Sequence, residues 1–197
     1  MKKSKVILTI ISLVLVVAMS VAGTLAFLKV NTTPVVNTFS PSNIGLTLDE
    51  TTTATDYKMI PGVEMNKDPK VTVTSDIDAY VFVEVTESTN FDDYMTYAIA
   101  SGWKLYDTGA ETIDTAELDT YVLYREVGKN DTTKAFYVLA GGTKSANGVV
   151  TTKTSVEESH MTAAKTNAPT LTFTAYAVQK DGLDVAQAWA QAQSLKG

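Results

Sequence analysis

Residues 78–87 read Asp-Ala-Tyr-Val-Phe-Val-Glu-Val-Thr-Glu. Ala79, Val81, Val83 and Val85 share one period-2 phase, while Tyr80 and Phe82 load the other, so a strand formed here has apolar side chains on both faces. Such a strand must be central, with an apolar layer above it and another below. The neighbouring segments supply candidates for those layers. Ile44, Leu46 and Leu48 alternate with Gly45, Thr47 and Asp49, residues 70–74 alternate in the same way, and Leu171, Phe173, Ala175 and Ala177 are in register within residues 170–178. Residues 120–127 and 133–140 are further strand candidates. Turn chemistry separates them at Pro61-Gly62, residues 128–131, Gly141-Gly142, Asn147-Gly148 and Asp181-Gly182.

This punctuation predicts a mainly all-β chain, an antiparallel β-sandwich with one or two short helices. One helix is expected over residues 90–100, with Asp92 and Asp93 in its first turn where the helix dipole favours acids. The other is expected over residues 184–195. There Asp184 and Gln187 form a capping box, and Val185, Trp189 and Ala192 make a stripe expected to close one end of the sandwich.

The amino terminus obeys a different rule. Met1, Lys2, Lys3, Ser4 and Lys5 precede an uncharged, mostly apolar run from Val6 to Leu28, the layout of an export signal helix. The run is also long enough to span a bilayer, so a retained anchor is the alternative. Small residues at Ala18 and Ser20, at Ser20 and Ala22, and at Thr24 and Ala26 each offer a signal-peptidase site and favour cleavage over an anchor; the last, which the resemblance described below supports, gives a signal peptide over residues 1–26 and a mature domain over residues 27–197 that starts at Phe27. Cleavage removes three lysines and no acid, taking the formal net charge from −6 to −9. An acidic surface argues against nucleic acid and anionic lipid as partners. The chain contains no cysteine, so its core must hold without disulfides; 171 residues are enough for that.

Catalytic chemistry has little to work with. His160 is the single histidine, and no nucleophile elbow, phosphate loop or His-Glu-x-x-His pattern occurs. His160 follows Glu157, Glu158 and Ser159 and reads as a solvated loop residue rather than a metal ligand. The acid pairs Asp76/Asp78, Asp92/Asp93 and Asp181/Asp184 lack Ca²⁺-loop spacing and read as turn or helix-start acids, with Ca²⁺ only a weak alternative. Tyr121, Tyr124 and the lone Arg125 suggest a sugar platform or, more simply, cross-strand packing. No catalytic, cofactor or metal residue is assigned.

A family resemblance rests on several stretches in order. Residues 23–28 (Gly-Thr-Leu-Ala-Phe-Leu), residues 37–40 followed by residues 44–50, Ile60-Pro61-Gly62 leading into residues 67–73, residues 79–83, and residues 171–179 with the Ala188-Trp189 helix resemble the SipW-dependent exported proteins of Gram-positive bacteria. That is the TasA/CalY (camelysin) class of biofilm-matrix fibre proteins. The resemblance implies a jelly-roll-like sandwich, trimmed by a SipW-type signal peptidase and secreted to the extracellular matrix or cell surface. There it would polymerise with itself, with a minor or anchoring subunit as a further partner. It also implies that residues 27–36 are a mobile arm donated as a strand to the next subunit.

The arm's strand-forming residues are Phe27, Leu28, Val30, Val35 and Val36, with Phe27 and Val30 or Val35 expected to supply the anchoring side chains. Pro34 cannot donate to a ladder and belongs at an edge or a break. An arm that folds back on its own domain is the alternative. Camelysin-type members carry a metallopeptidase assignment, but a catalytic zinc needs three protein ligands of a kind this chain lacks. A monomeric adhesin or carbohydrate-binding sandwich is the third reading.

Overall fold

The computed structural model describes residues 5, 7, 10–15, 43–51, 58–116 and 118–195. The chain divides into two compact units, Met1–Ser40 and Pro41–Gly197. In the first, residues 10–15 are helical and exposed. Among the described residues no helix is long and apolar enough to cross a membrane.

The second unit is mainly β, with every pairing antiparallel. Its centre is a four-stranded sheet in the order β10(Leu171–Gln179)–β4(Ala79–Glu87)–β7(Thr120–Val127)–β6(Lys104–Leu105). A second sheet has the order β1(Ile44–Asp49)–β3(Lys70–Ser75)–β8(Ala135–Tyr137), and a third β2(Glu64–Asn66)–β9(Val149–Thr152)–β5(Met95–Thr96).

The strand with two apolar faces is β4, and both are covered. Val81, Val83 and Val85 are completely buried against Val71 and Val73 of β3 and Leu123 of β7, in a core that also takes Met65 and Val150 from the third sheet. On the other side Tyr80 and Phe82 join Tyr176 and Val178 of β10 beneath helix α3(Val185–Gln193). The capping box forms as its sequence dictates: the Gln187 N–H donates to Asp184 Oδ1 at 2.8 Å, and Gln187 Oε1 accepts from the Asp184 N–H at 3.0 Å. Trp189 lies 5.2 Å from the Phe82 ring and 5.7 Å from Tyr176. The stripe therefore roofs the outer face of the four-stranded sheet and does not close an end, because Tyr80, Phe82 and Tyr176 present an aromatic surface only a helix face of that width can cover.

The helix expected over residues 90–100 is one turn, α1(Phe91–Tyr94). Met95 then adopts extended backbone (φ −126°, ψ 160°), and Met95 and Thr96 pair with Thr152 and Thr151 as β5. Burial of Phe91, Tyr94 and Met95 in the main core outweighs the weak helical preference of the segment. A further helix, α2(Glu158–Ala164), lies between β9 and β10. It carries His160, which is thus a helix residue and not a loop one: its Nδ1 accepts the Glu157 N–H at 3.1 Å. The strand expected over residues 133–140 shortens to the three residues of β8, followed by a single bridge between Leu139 and Ile99.

Candidate functional site

The edge strands of the sheets are bordered differently. Beside β8, the segment after β5 runs along the strand: Ala100 N–H donates to the Val138 carbonyl at 2.9 Å, Ala140 N–H to Ala98 at 2.8 Å, and Trp103 Nε1 to Tyr137 at 2.8 Å. Trp103 is completely buried. Arg125 projects inward from β7 and stacks its guanidinium on Phe136 at 3.6 Å and on Trp103 at 5.2 Å. The Gly102 backbone sits so close that a Cβ there would fall 2.8 Å from a guanidinium nitrogen, in a conformation (φ +86°) that also suits glycine. Burial lowers the Arg125 pKa against the opposing charge of Asp131, and Arg125 Nε has no hydrogen-bond partner among the described residues, so the aromatic faces are the guanidinium's close packing partners.

A seam lies between β1 and β10, strands of different sheets that lie close to each other. Each is the terminal strand of its sheet, and among the described residues nothing pairs with the outer side of either. The inward side chains show the consequence. Leu46 and Leu48 of β1, with Leu171, Phe173, Ala175 and Ala177 of β10, all pack on the main core yet remain only half-buried, whereas their counterparts on β3, β4 and β7 are fully covered. A sheet edge without a partner strand beside half-buried apolar side chains is a surface on which another strand can pair.

The two ends of this seam are built differently. At one end Asn43 N–H donates to Asp76 Oδ1 at 3.1 Å. At the other, Lys67 Nζ bonds Glu50 at 2.7 Å and lies 5.8 Å from the centre of the Phe173 ring, and the buried Asp68 accepts the Thr51 N–H at 3.1 Å. Glu87 lies next to that end, directly opposite Leu171 in the β4–β10 ladder. Its side chain points inward, where it accepts from the Tyr97 hydroxyl, itself 2.6 Å from the Tyr121 hydroxyl. Burial pushes the Glu87 carboxyl up to about 7, helped by the charges of Asp92 and Asp119 and opposed by the Tyr97 hydrogen bond and Lys153. Burial likewise raises Tyr97 and Tyr121, so both stay neutral donors.

The residues singled out from the sequence distribute as follows. Thr24, Ala26, Phe27, Leu28, Val30, Val35 and Val36 lie outside the described residues. Asp78 Oδ1 accepts the Lys129 N–H at 2.8 Å, Asp92 and Asp93 sit in the first turn of α1, and Asp184 caps α3. Among the described residues no three His, Asp or Glu side chains converge as a metal site. Tyr121 and Arg125 point into the core while Tyr124 packs near Phe82 on the opposite face, so the three do not form one platform. The seam itself was not legible in the sequence, though the alternation of its two strands was. The chain matches no protein-family model, no curated protein and no solved structure.

Proposed function

We propose that this chain is a secreted structural protein that polymerises into extracellular fibres, each subunit donating residues 27–36 to the β1/β10 seam of the next. The observation that carries this reading is a difference between the sheet edges: Trp103, Arg125 and the segment after β5 border the edge at β8, whereas among the described residues no strand pairs with the outer side of β1 or of β10. A donated strand gains main-chain hydrogen bonds from such an edge, and each buried Leu or Val side chain adds about 1.5–3 kcal/mol. The second compact unit starts at Pro41, after residues 27–36.

In this reading residues 1–26 are a signal peptide removed by a SipW-type peptidase, the domain is a jelly-roll-like sandwich of the TasA/CalY type, and the product works in the matrix or at the cell surface. The metallopeptidase alternative gains nothing from His160, whose Nδ1 is engaged in the cap of α2. The test is a chain that begins at Asn37. It should unfold as cooperatively as the chain beginning at Phe27, fail to polymerise, and bind a synthetic peptide of residues 27–36. Polymerisation of the shortened chain would refute strand donation; loss of its fold would make residues 27–36 an intramolecular strand.

A further inference from the structure

Arg125 is the only arginine of the chain, and among the described residues no acid pairs with it. The ion pairs made among those residues all take lysine as the cation, although a guanidinium is the better fit to a carboxylate. Asp131 acts on Arg125 through space, but its Oδ2 accepts the Gly128 N–H at 2.7 Å. Lys134, two residues before Phe136, is engaged elsewhere: its Nζ donates to the Ser75 and Lys129 carbonyls, each at 2.8 Å. A half-buried guanidinium therefore stands among aromatic rings with its N–H donors unused among the described residues.

Ligand access is open on one edge. Of the guanidinium nitrogens only Nε is closed off from solvent, which leaves both Nη groups at the surface. Gly102 is exposed, and a Cβ there would fall 2.8 Å from Nη2, so any side chain at this position would cover that group. Phe136 at 3.6 Å and Trp103 at 5.2 Å hold the planar head, so a ligand meets it edge-on, the approach that suits a planar two-oxygen acceptor.

We propose that Arg125 anchors a binding site for a single carboxylate at the edge beside β8, the carboxylate oxygens accepting from its Nη groups. One cation in a chain of net charge −6 balances a monoanion, whereas a phosphate dianion would bring a second charge with no partner. An acidic side chain and a sugar acid both supply this chemistry. The site belongs to β7, β8 and the segment before β6, not to β1 or β10, so it stands whether or not subunits exchange strands.

Because Arg125 is the only arginine, the guanidinium signals of uniformly ¹⁵N-labelled secreted protein belong to it alone. Titration with sodium acetate should move the Nε–H signal along a saturable curve; sodium chloride at the same ionic strength should not, and sodium phosphate should bind more weakly. Of N-acetylglutamate α-amide and glucuronate, the tighter binder identifies an acidic side chain or a sugar acid as the source. Arg125→Lys should weaken acetate binding at least about tenfold, the worth of one charged hydrogen bond, read from the Trp103 indole N–H signal. Gly102→Asn, a residue type that tolerates positive φ, should abolish binding while circular dichroism shows the fold intact, which keeps the test decisive where Arg125→Lys does not fold. No saturable shift, a shift that chloride reproduces, or unchanged binding by a folded Gly102→Asn chain overturns the site and leaves the guanidinium a packing element. Phosphate bound more tightly than acetate overturns the carboxylate assignment.

Discussion

Replacing Glu87 with glutamine should flatten one component of the pH dependence of stability. Glu87 is 6 % exposed, and its carboxyl is pushed from an ordinary 4.5 to about 7, chiefly by burial. A carboxyl raised in the folded state holds a proton that the unfolded chain has released. Its stabilising contribution is thus complete below about pH 4.5, is lost as pH rises towards 7, and is absent above that. At about 1.4 kcal/mol per tenfold change in proton affinity, the loss amounts to about 3 kcal/mol. The assay is urea unfolding of wild type and Glu87→Gln at closely spaced pH values from 4 to 8.5, taking the difference between the two so that other carboxylates cancel. Glu87→Gln should gain on wild type by about 3 kcal/mol between the acidic and alkaline limits. Tyr97→Phe, which removes a hydrogen bond that lowers the Glu87 value, should move the midpoint of this difference to higher pH. A difference that stays flat across the range would mean that water reaches Glu87 freely and would refute the reasoning, and one confined to pH below 5 would mean a carboxyl that folding lowers, which contradicts it as well.

Trp189→Ala should cost about 3–5 kcal/mol, lowering the thermal midpoint by about 10 °C, because the indole packs on Phe82, Tyr106 and Tyr176 and leaves a cavity under α3. Gly148→Ala should cost at least about 1–3 kcal/mol by thermal unfolding, since Gly148 has φ +136° and its new Cβ would lie 2.5 Å from the Lys67 carbonyl oxygen. Amino-terminal sequencing of protein secreted by the native host should read from Phe27, and full-length chain in the membrane fraction would contradict the cleavage. Purified mature chain should leave casein intact with or without added zinc, and activity abolished by His160→Ala would reverse that expectation.

Elements whose local signals agreed with their tertiary setting were legible in the sequence. The double-faced pattern at Ala79–Glu87 specifies a central strand wherever it occurs, and Asp184 with Gln187 caps α3 through bonds made within four residues. Elements created by long-range pairing were not. Met95 and Thr96 leave helical backbone because Thr152 and Thr151 offer a ladder, and β9 is four residues with Val149, Val150 and Thr152 all buried, too short and too uniformly covered to alternate. The capping box of α2 has His160 at its third position in place of the usual Glu or Gln, so it carried no recognisable helix start. The seam was hidden for a further reason. Ile44–Asp49 and Leu171–Gln179 each announce a strand, yet only the strand orders place each at the end of its sheet among the described residues.

The measurement that bears most directly on the fibre reading is electron microscopy of the purified mature chain, residues 27–197, concentrated under conditions that favour association, beside the chain that begins at Asn37. The account predicts filaments of uniform width from the first and none from the second. Dispersed monomers from both, with the mature chain folded, would contradict it.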